Sequence, residues 1–328
     1  MQHNSYSLWS GSRRQALAAA AVALVVCTGA SAQAPAPVMR LVVPFAAGSY
    51  TDNVTRIIAP GLGQRLGHTI VIENRAGANG IIGADHVAKS APDGLTVLVG
   101  GASVNTVNPN IYKSLPYDPV QDLLPVARIG LLPFVLVANN AVPAANVAEL
   151  IAHIKKNPGK LAYGTPNATT LVGMETFKRG AGVDITGVSY KSSPQAVTDL
   201  IGGHIQVLIA DFATAMPQVQ AGKVKLLAVT MRKRSALLPD VPAVSETLKD
   251  FDISAWTGLL LPGKTPPAMA QRIYDALQAT LAAPDVRDRL RGIGFDVQPL
   301  GPSEFGPFVR SEITTWSRLV KEAGIQPE

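Results

Sequence analysis

Residues 44–53, Pro-Phe-Ala-Ala-Gly-Ser-Tyr-Thr-Asp-Asn, hold the residue types best placed to do chemistry in this chain. They follow an apolar run of strand character (Leu41, Val42, Val43) and precede a segment with Val54, Ile57, Ile58 and Leu62 at helical spacing. Gly48 permits an unusual backbone turn, and Thr51 or Asp52 is placed to cap the helix that follows. The first amides of such a helix lack intrahelical acceptors, and the helix dipole favours negative charge there. Two readings stand side by side: a binding point for an anion, or a strand-to-helix turn with a capping aspartate.

Other constellations fail on spacing. Gly61, Gly63 and Gly67 imitate a dinucleotide fingerprint, but the third glycine comes one place late and the run sits at a helix end. The glycine-rich stretch 77–83 lacks the lysine and hydroxyl of a phosphate loop, so close packing of a helix start is expected instead. His68, His86, His153 and His204 are scattered, without metal-ligand spacing. There is no Gly-x-Ser-x-Gly elbow, and the acidic residues are spread singly. The expectation is a protein that is not an enzyme and uses no metal and no cofactor.

The elements that must position the 44–53 loop alternate along the chain. Strands are expected at 39–44, 69–73, 95–99, 134–138, 161–163, 205–210 and 224–230, with helices between them. Asn146 and Glu149 form a capping box for a helix with Val147, Leu150, Ile151 and Ile154 on one face, stopped by Pro158-Gly159. Ser193-Pro194 opens another helix, closed by Gly202-Gly203, and Thr265-Pro266 a third. This rhythm argues an α/β fold with mostly parallel sheets, whose ligand crevice lies at the carboxyl ends of the strands.

The N-terminus reads as an export signal. Arg13 and Arg14 precede an uncharged run at 16–26, then Ala30-Ser31-Ala32, with Gln33 as the expected new N-terminus. Eleven residues rise about 16 Å as a helix, short of a membrane core of about 30 Å. The general secretory route is favoured over a twin-arginine route. Cys27, the single cysteine, falls inside the segment, so the processed chain has no disulfide and no thiolate site. No later segment reaches 18 uncharged apolar residues, so a soluble protein is expected. Removing 32 of 328 residues lowers the formal charge from +6 to +4. The 296 that remain exceed what one core usually serves, so two lobes are expected. The basic residues are dispersed and not interleaved with aromatics, which argues against nucleic acid.

Several strings together carry a resemblance. They are PFAAGSYTD (44–52), VIENRAGANGIIGADHVAKSAPDGLTVLVG (71–100) and YKSLPYDPVQDLLPVA (112–127). To these add VSYKSSPQAVTDLIGGHIQVLIADFATAMPQVQAGKVKLLAV (188–229), RSALLPDVPAVSE (234–246), WTGLLLPGKTPP (256–267) and the C-terminal run 294–325. The chain resembles the periplasmic solute-binding receptors of tripartite tricarboxylate transporters, often called Bug receptors, over essentially residues 38–326. The resemblance implies a two-lobed periplasmic-binding-protein clamshell, each lobe a mostly parallel sheet flanked by helices. The signal peptide would be 1–32, lobe 1 discontinuous (33–136 plus 258–328) and lobe 2 137–257, with hinge crossings near Pro133 and Trp256.

It also implies a monomeric periplasmic receptor that captures a small organic carboxylate and delivers it to permease subunits, without nucleic acid. The alternative on the same fold is a sensory receptor that signals rather than transports. Carried over residue by residue, the first-lobe contacts are Ala47, Gly48, Ser49, Tyr50, Asp52, Ser103 and Asn105. The second-lobe contacts are Thr165, Asn167, Thr169, Lys191, Ser192, Asp211 and Thr214. Asp211 is unfavourable beside an anion unless a donor or water intervenes. Departures from the family pattern bear on ligand identity. Tyr50 stands where a small residue is usual, Leu171 where a histidine is, and loop 164–170 is shorter. These changes suit a longer or aromatic carboxylate, with Tyr50 at the cleft mouth. Pro60-Gly61 is expected to break the first helix.

Overall fold

The computed structural model describes residues 1–2, 36–235 and 237–328. The expected signal segment, its cleavage site and Cys27 lie outside these residues. Along the chain run β1 (Val38–Val43), α1 (Tyr50–Leu66), β2 (Thr69–Asn74), α2 (Ile81–Ala88), β3 (Thr96–Gly101), α3 (Asn108–Ile111), β4 (Leu123–Leu132) and β5 (Phe134–Asn139). Next come α4 (Val147–Lys156), β6 (Ala162–Thr165), α5 (Ala168–Ala181), β7 (Thr186–Ser189), α6 (Ser193–Gly202), β8 (Val207–Asp211), α7 (Phe212–Gln220) and β9 (Val224–Val229). The chain closes with β10 (Ala255–Pro262), α8 (Pro267–Leu281), α9 (Pro284–Gly292), β11 (Asp296–Leu300) and α10 (Pro302–Glu322).

The strands form two sheets, one per lobe, ordered β11-β4-β10-β3-β1-β2 and β7-β6-β8-β5-β9. Both are mixed rather than mostly parallel. Parallel pairing is confined to β1 with β2 and β3, and β6 with β7 and β8. The antiparallel pairs all involve β4, β5 or β10, next to the crossings between lobes. β4 passes into β5 through Pro133 alone, and the chain returns along β10, which runs against β4. An outgoing and a returning strand side by side must point in opposite directions. Phe134–Leu136 thus belong to the second sheet and Ala255–Thr257 to the first, three residues from the expected boundaries on each side.

β5 shows why an all-apolar strand is stable here. Phe134, Leu136 and Ala138 join one core cluster, while Val135 and Val137 join the other. Side chains alternate across a strand, so both faces of β5 are buried, as between two helical layers. Val147, Leu150 and Ile154 of α4 and Phe177 of α5 cover one face; Val197 and Leu200 of α6 cover the other. Asn146 caps α4 as expected, accepting Glu149 N–H at 2.9 Å, but the box does not close: the Glu149 carboxylate accepts from the Ala145 amide and the Asn146 side chain rather than from the Asn146 amide. The helix at 193 starts one residue earlier than expected, because Ser192 is its cap. Pro60 does not break α1, which continues to Leu66 and ends on left-handed Gly67. Proline removes a single internal donor, and α1 is otherwise held by buried Val54, Ile57, Ile58 and Leu62. No helix among the described residues is long and apolar enough to cross a membrane.

Candidate functional site

The carboxyl ends of β1, β3, β6, β7 and β8 lead into the loops that line a cavity between the two lobes, of about 50 Å³. Residues of both lobes line it. Four helix starts meet here. Ser49 caps α1, Asn167 caps α5, Ser192 caps α6 and Asp211 caps α7, and all four line the cavity. Ser103, in the helical turn after β3, adds a hydroxyl. No lysine, arginine or histidine lines the cavity among the described residues. The groups able to attract an anion here are therefore helix N-termini and neutral donors rather than a cationic side chain, and the Asp211 carboxylate lies among them.

The lobes touch at this point. Ser103 Oγ lies 2.9 Å from Thr169 Oγ1, and the Thr169 amide donates to Ser103 Oγ at 3.4 Å. Asn167 makes a capping box with Thr170, and its Oδ1 is also 3.4 Å from Ser103 Oγ. At the first helix, the Ser49 hydroxyl, not Thr51 or Asp52, accepts the Asp52 amide. The Tyr50 and Thr51 amides, first and second in α1, have no acceptor among the described residues.

Asp52 is turned away from the cavity and holds the loop instead. Its Oδ2 accepts the Gly48 amide at 2.9 Å and Arg56 Nε at 2.8 Å, and its Oδ1 accepts Asn74 Nδ2 at 3.0 Å. Burial alone would push its pKa up; the bonds from Arg56, Gly48 and Asn74 outweigh that and hold it below the usual carboxylate value. Gly48 has φ +78°, the left-handed turn expected from sequence, but its amide is spent on Asp52 and is not free for an anion.

Of the other expected contacts, Ala47 and Gly48 are exposed, and neither lines the cavity. Asn105 is fully buried behind it, its Oδ1 accepting the Gly101 amide. Thr165 donates to the Val188 carbonyl at 3.3 Å, and Lys191 is exposed. Thr214 donates its amide and its hydroxyl to Asp211 Oδ1, at 2.9 and 2.5 Å. Ser49, Tyr50, Ser103, Asn167, Thr169, Ser192 and Asp211 are the expected residues that the fold brings together around one cavity.

Tyr50 is not at the cleft mouth. It is 2% exposed and packs on Phe295, with ring centroids 5.9 Å apart. Burial, and then the charges of Asp211 and Asp296, push its pKa well up, so the phenol keeps its proton. Asp211 is 3% exposed; burial pushes its pKa up, opposed by the hydroxyls of Thr214 and Ser193.

Sequence reasoning missed the apolar and strand-borne walls. Phe45 and Thr51 flank the first loop, and Pro166 and Ser193 sit beside residues that were expected. Leu132, Phe134, Ala255, Trp256 and Thr257 come from the crossing strands. From sequence Trp256 marks only a hinge crossing; no turn or cap chemistry flags a wall residue inside a central strand.

A sequence profile for a family described as "Tripartite tricarboxylate transporter family receptor" matches residues 54–325. The protein BugT of Bordetella pertussis is 32% identical over 294 residues, 88% of this chain and 90% of that protein. The solved structure of R. palustris Rpa4515 with adipate is similar at a TM-score of 0.87 and 32% identity, covering 90% of this chain and 100% of that one. MatC from Rhodopseudomonas palustris with bound malate is similar at 0.82 and 31%, covering 87% and 99%.

Proposed function

The chain belongs to the tripartite tricarboxylate transporter receptor family, and from that premise we propose that it captures a small organic carboxylate between its lobes and delivers it to a membrane permease. The family is one of solute-binding receptors rather than enzymes. The observation that carries the reading is the convergence of four helix starts on one cavity without a cationic side chain. Such a site favours a carboxylate through amides and hydroxyls. The adipate and malate held by similar proteins support the same ligand class.

Capture works by differential affinity. A ligand that touches both lobes only when they are shut shifts the population toward the shut form. The Ser103 contacts to Thr169 and Asn167 join the lobes beside the cavity, so the lobes separate to admit a ligand. Pro133 and the segment before Trp256 are the crossings about which they would turn. The exported form begins at Gln33, and mass spectrometry of the protein recovered from the periplasm tests that start.

The test of the main reading is a thermal-shift and calorimetric screen against carboxylates that include adipate and malate. A binder present at 100 times its Kd stabilises the fold by about 2.7 kcal/mol. At least one carboxylate should do so while its methyl ester does not. Stabilisation by neutral sugars or esters, with none by carboxylates, overturns the proposal.

A further inference from the structure

Two buried polar side chains, one from each lobe, line the cavity. Tyr50, from the first lobe, has a hydroxyl with no partner among the described residues. Buried polar groups without partners are rare and costly, so an unpaired phenol in a ligand cavity points to a group that arrives with the ligand. Asp211, from the second lobe, spends Oδ1 on Thr214 as the cap of α7. Its carboxylate also accepts from Ser193, and the residue lines the cavity. Both Tyr50 and Asp211 line the one cavity, from opposite lobes, so a ligand held between the lobes can meet both.

The chemistry of the pair discriminates between groups. A carboxylate there accepts from Tyr50 but faces the Asp211 charge. A methyl group satisfies neither. An ammonium donates to Asp211 but offers the phenol no acceptor. A hydroxyl does both, accepting from Tyr50 and donating to Asp211. Resting on the carboxylate reading above, we propose that Tyr50 and Asp211 form a subsite for an alcohol group, so that the preferred ligand is a hydroxycarboxylate. Because the two residues come from different lobes, the same hydroxyl ties the lobes together on closure.

The test is calorimetry on the processed chain with matched probes. These are butyrate, its 2-, 3- and 4-hydroxy and amino derivatives and succinate, then hexanoate, 6-hydroxyhexanoate and adipate. A hydroxy acid should bind roughly tenfold or more tightly than both its parent acid and the dicarboxylate of the same length. Tyr50→Phe should cut that preference to about twofold, because it removes only the donor. Asp211→Asn keeps the capping oxygen but places an amide donor beside the cavity, so it should turn the preference toward succinate or adipate.

Circular dichroism checks that both variants fold, and the ranking in the unaltered protein decides the matter without them. Tightest binding by an amino acid overturns the inference. So does tightest binding by a dicarboxylate, the result expected if Asp211 carries a proton, and so does a hydroxyl preference that survives both variants. In each case carboxylate binding itself stands. Absence of binding by every probe and by the wider carboxylate panel overturns both readings.

Discussion

At the scale of the residue, Gly48 and Asp52 show how one short loop is held. Gly48 sits at φ +78°, and a Cβ placed there meets only Pro194 Cγ, at 4.0 Å. The cost of a side chain is therefore in the backbone. Gly48→Val should destabilise the fold by about 1–3 kcal/mol and weaken carboxylate binding, because a β-branched residue resists this conformation. Urea denaturation and calorimetry read the two effects; unchanged values in both would place the loop outside the site. Asp52→Ala removes three bonds to one buried carboxylate and should cost about 2 kcal/mol at neutral pH. The folded pKa lies below the unfolded one, so this contribution is present above the unfolded value and is lost as pH falls through the folded value. The stability difference between the two proteins should thus shrink toward zero in strong acid. A difference independent of pH would show that packing, not charge, holds the loop.

At the scale of the element, caps that look alike in sequence do different work. Asn146 caps α4 away from the cavity and Asn167 caps α5 at its edge, each accepting an amide three residues on, at 2.9 and 3.0 Å. Alanine at either position should cost about 1 kcal/mol in stability. Only Asn167→Ala should also weaken carboxylate binding; equal binding by the two variants would remove the α5 start from the site. The glycines at 80 and 83 serve the same architecture by close approach. A Cβ on Gly83 would lie 2.9 Å from Pro44 Cα, and one on Gly80 would lie 2.3 Å from Val104 Cγ1. They let α2 press against the loop that leads into α1.

At the scale of the whole molecule, closure rests on few polar contacts. Ser103 is bonded to Thr169 and Asn167 across the lobes. Ser103→Ala should favour the open form, seen as a larger radius of gyration in small-angle scattering without ligand. Saturating ligand should restore the closed value, since binding energy shifts the same two-state balance. An identical scattering curve for both proteins would assign closure to the apolar contacts instead.

The sequence by itself determined the local parts of this design: β1, the Asn146 cap, the left-handed turn at Gly48 and the alternation that gives an α/β fold. Each depends on a few neighbouring residues whose types fix a turn, a cap or a period. The family resemblance named the other segments that meet at the cavity, through Ser103, Asn167, Ser192 and Asp211. Only the tertiary structure decided which side chains of those segments face inward. Asp52 and Asn105 read as ligand contacts but turn back to hold main-chain amides, because buried amides must find acceptors. The local sequence pattern does not mark β4, β7, β10 and β11 as strands. Pro125 and Arg128 interrupt the apolar run of β4, and Arg128 is accommodated by the Gln298 carbonyl and the Phe308 ring rather than by solvent. β4 and β10 make the first sheet mixed, and with it set the walls at Leu132, Trp256 and Thr257. Their placement depends on partners far away in sequence, which no local pattern encodes.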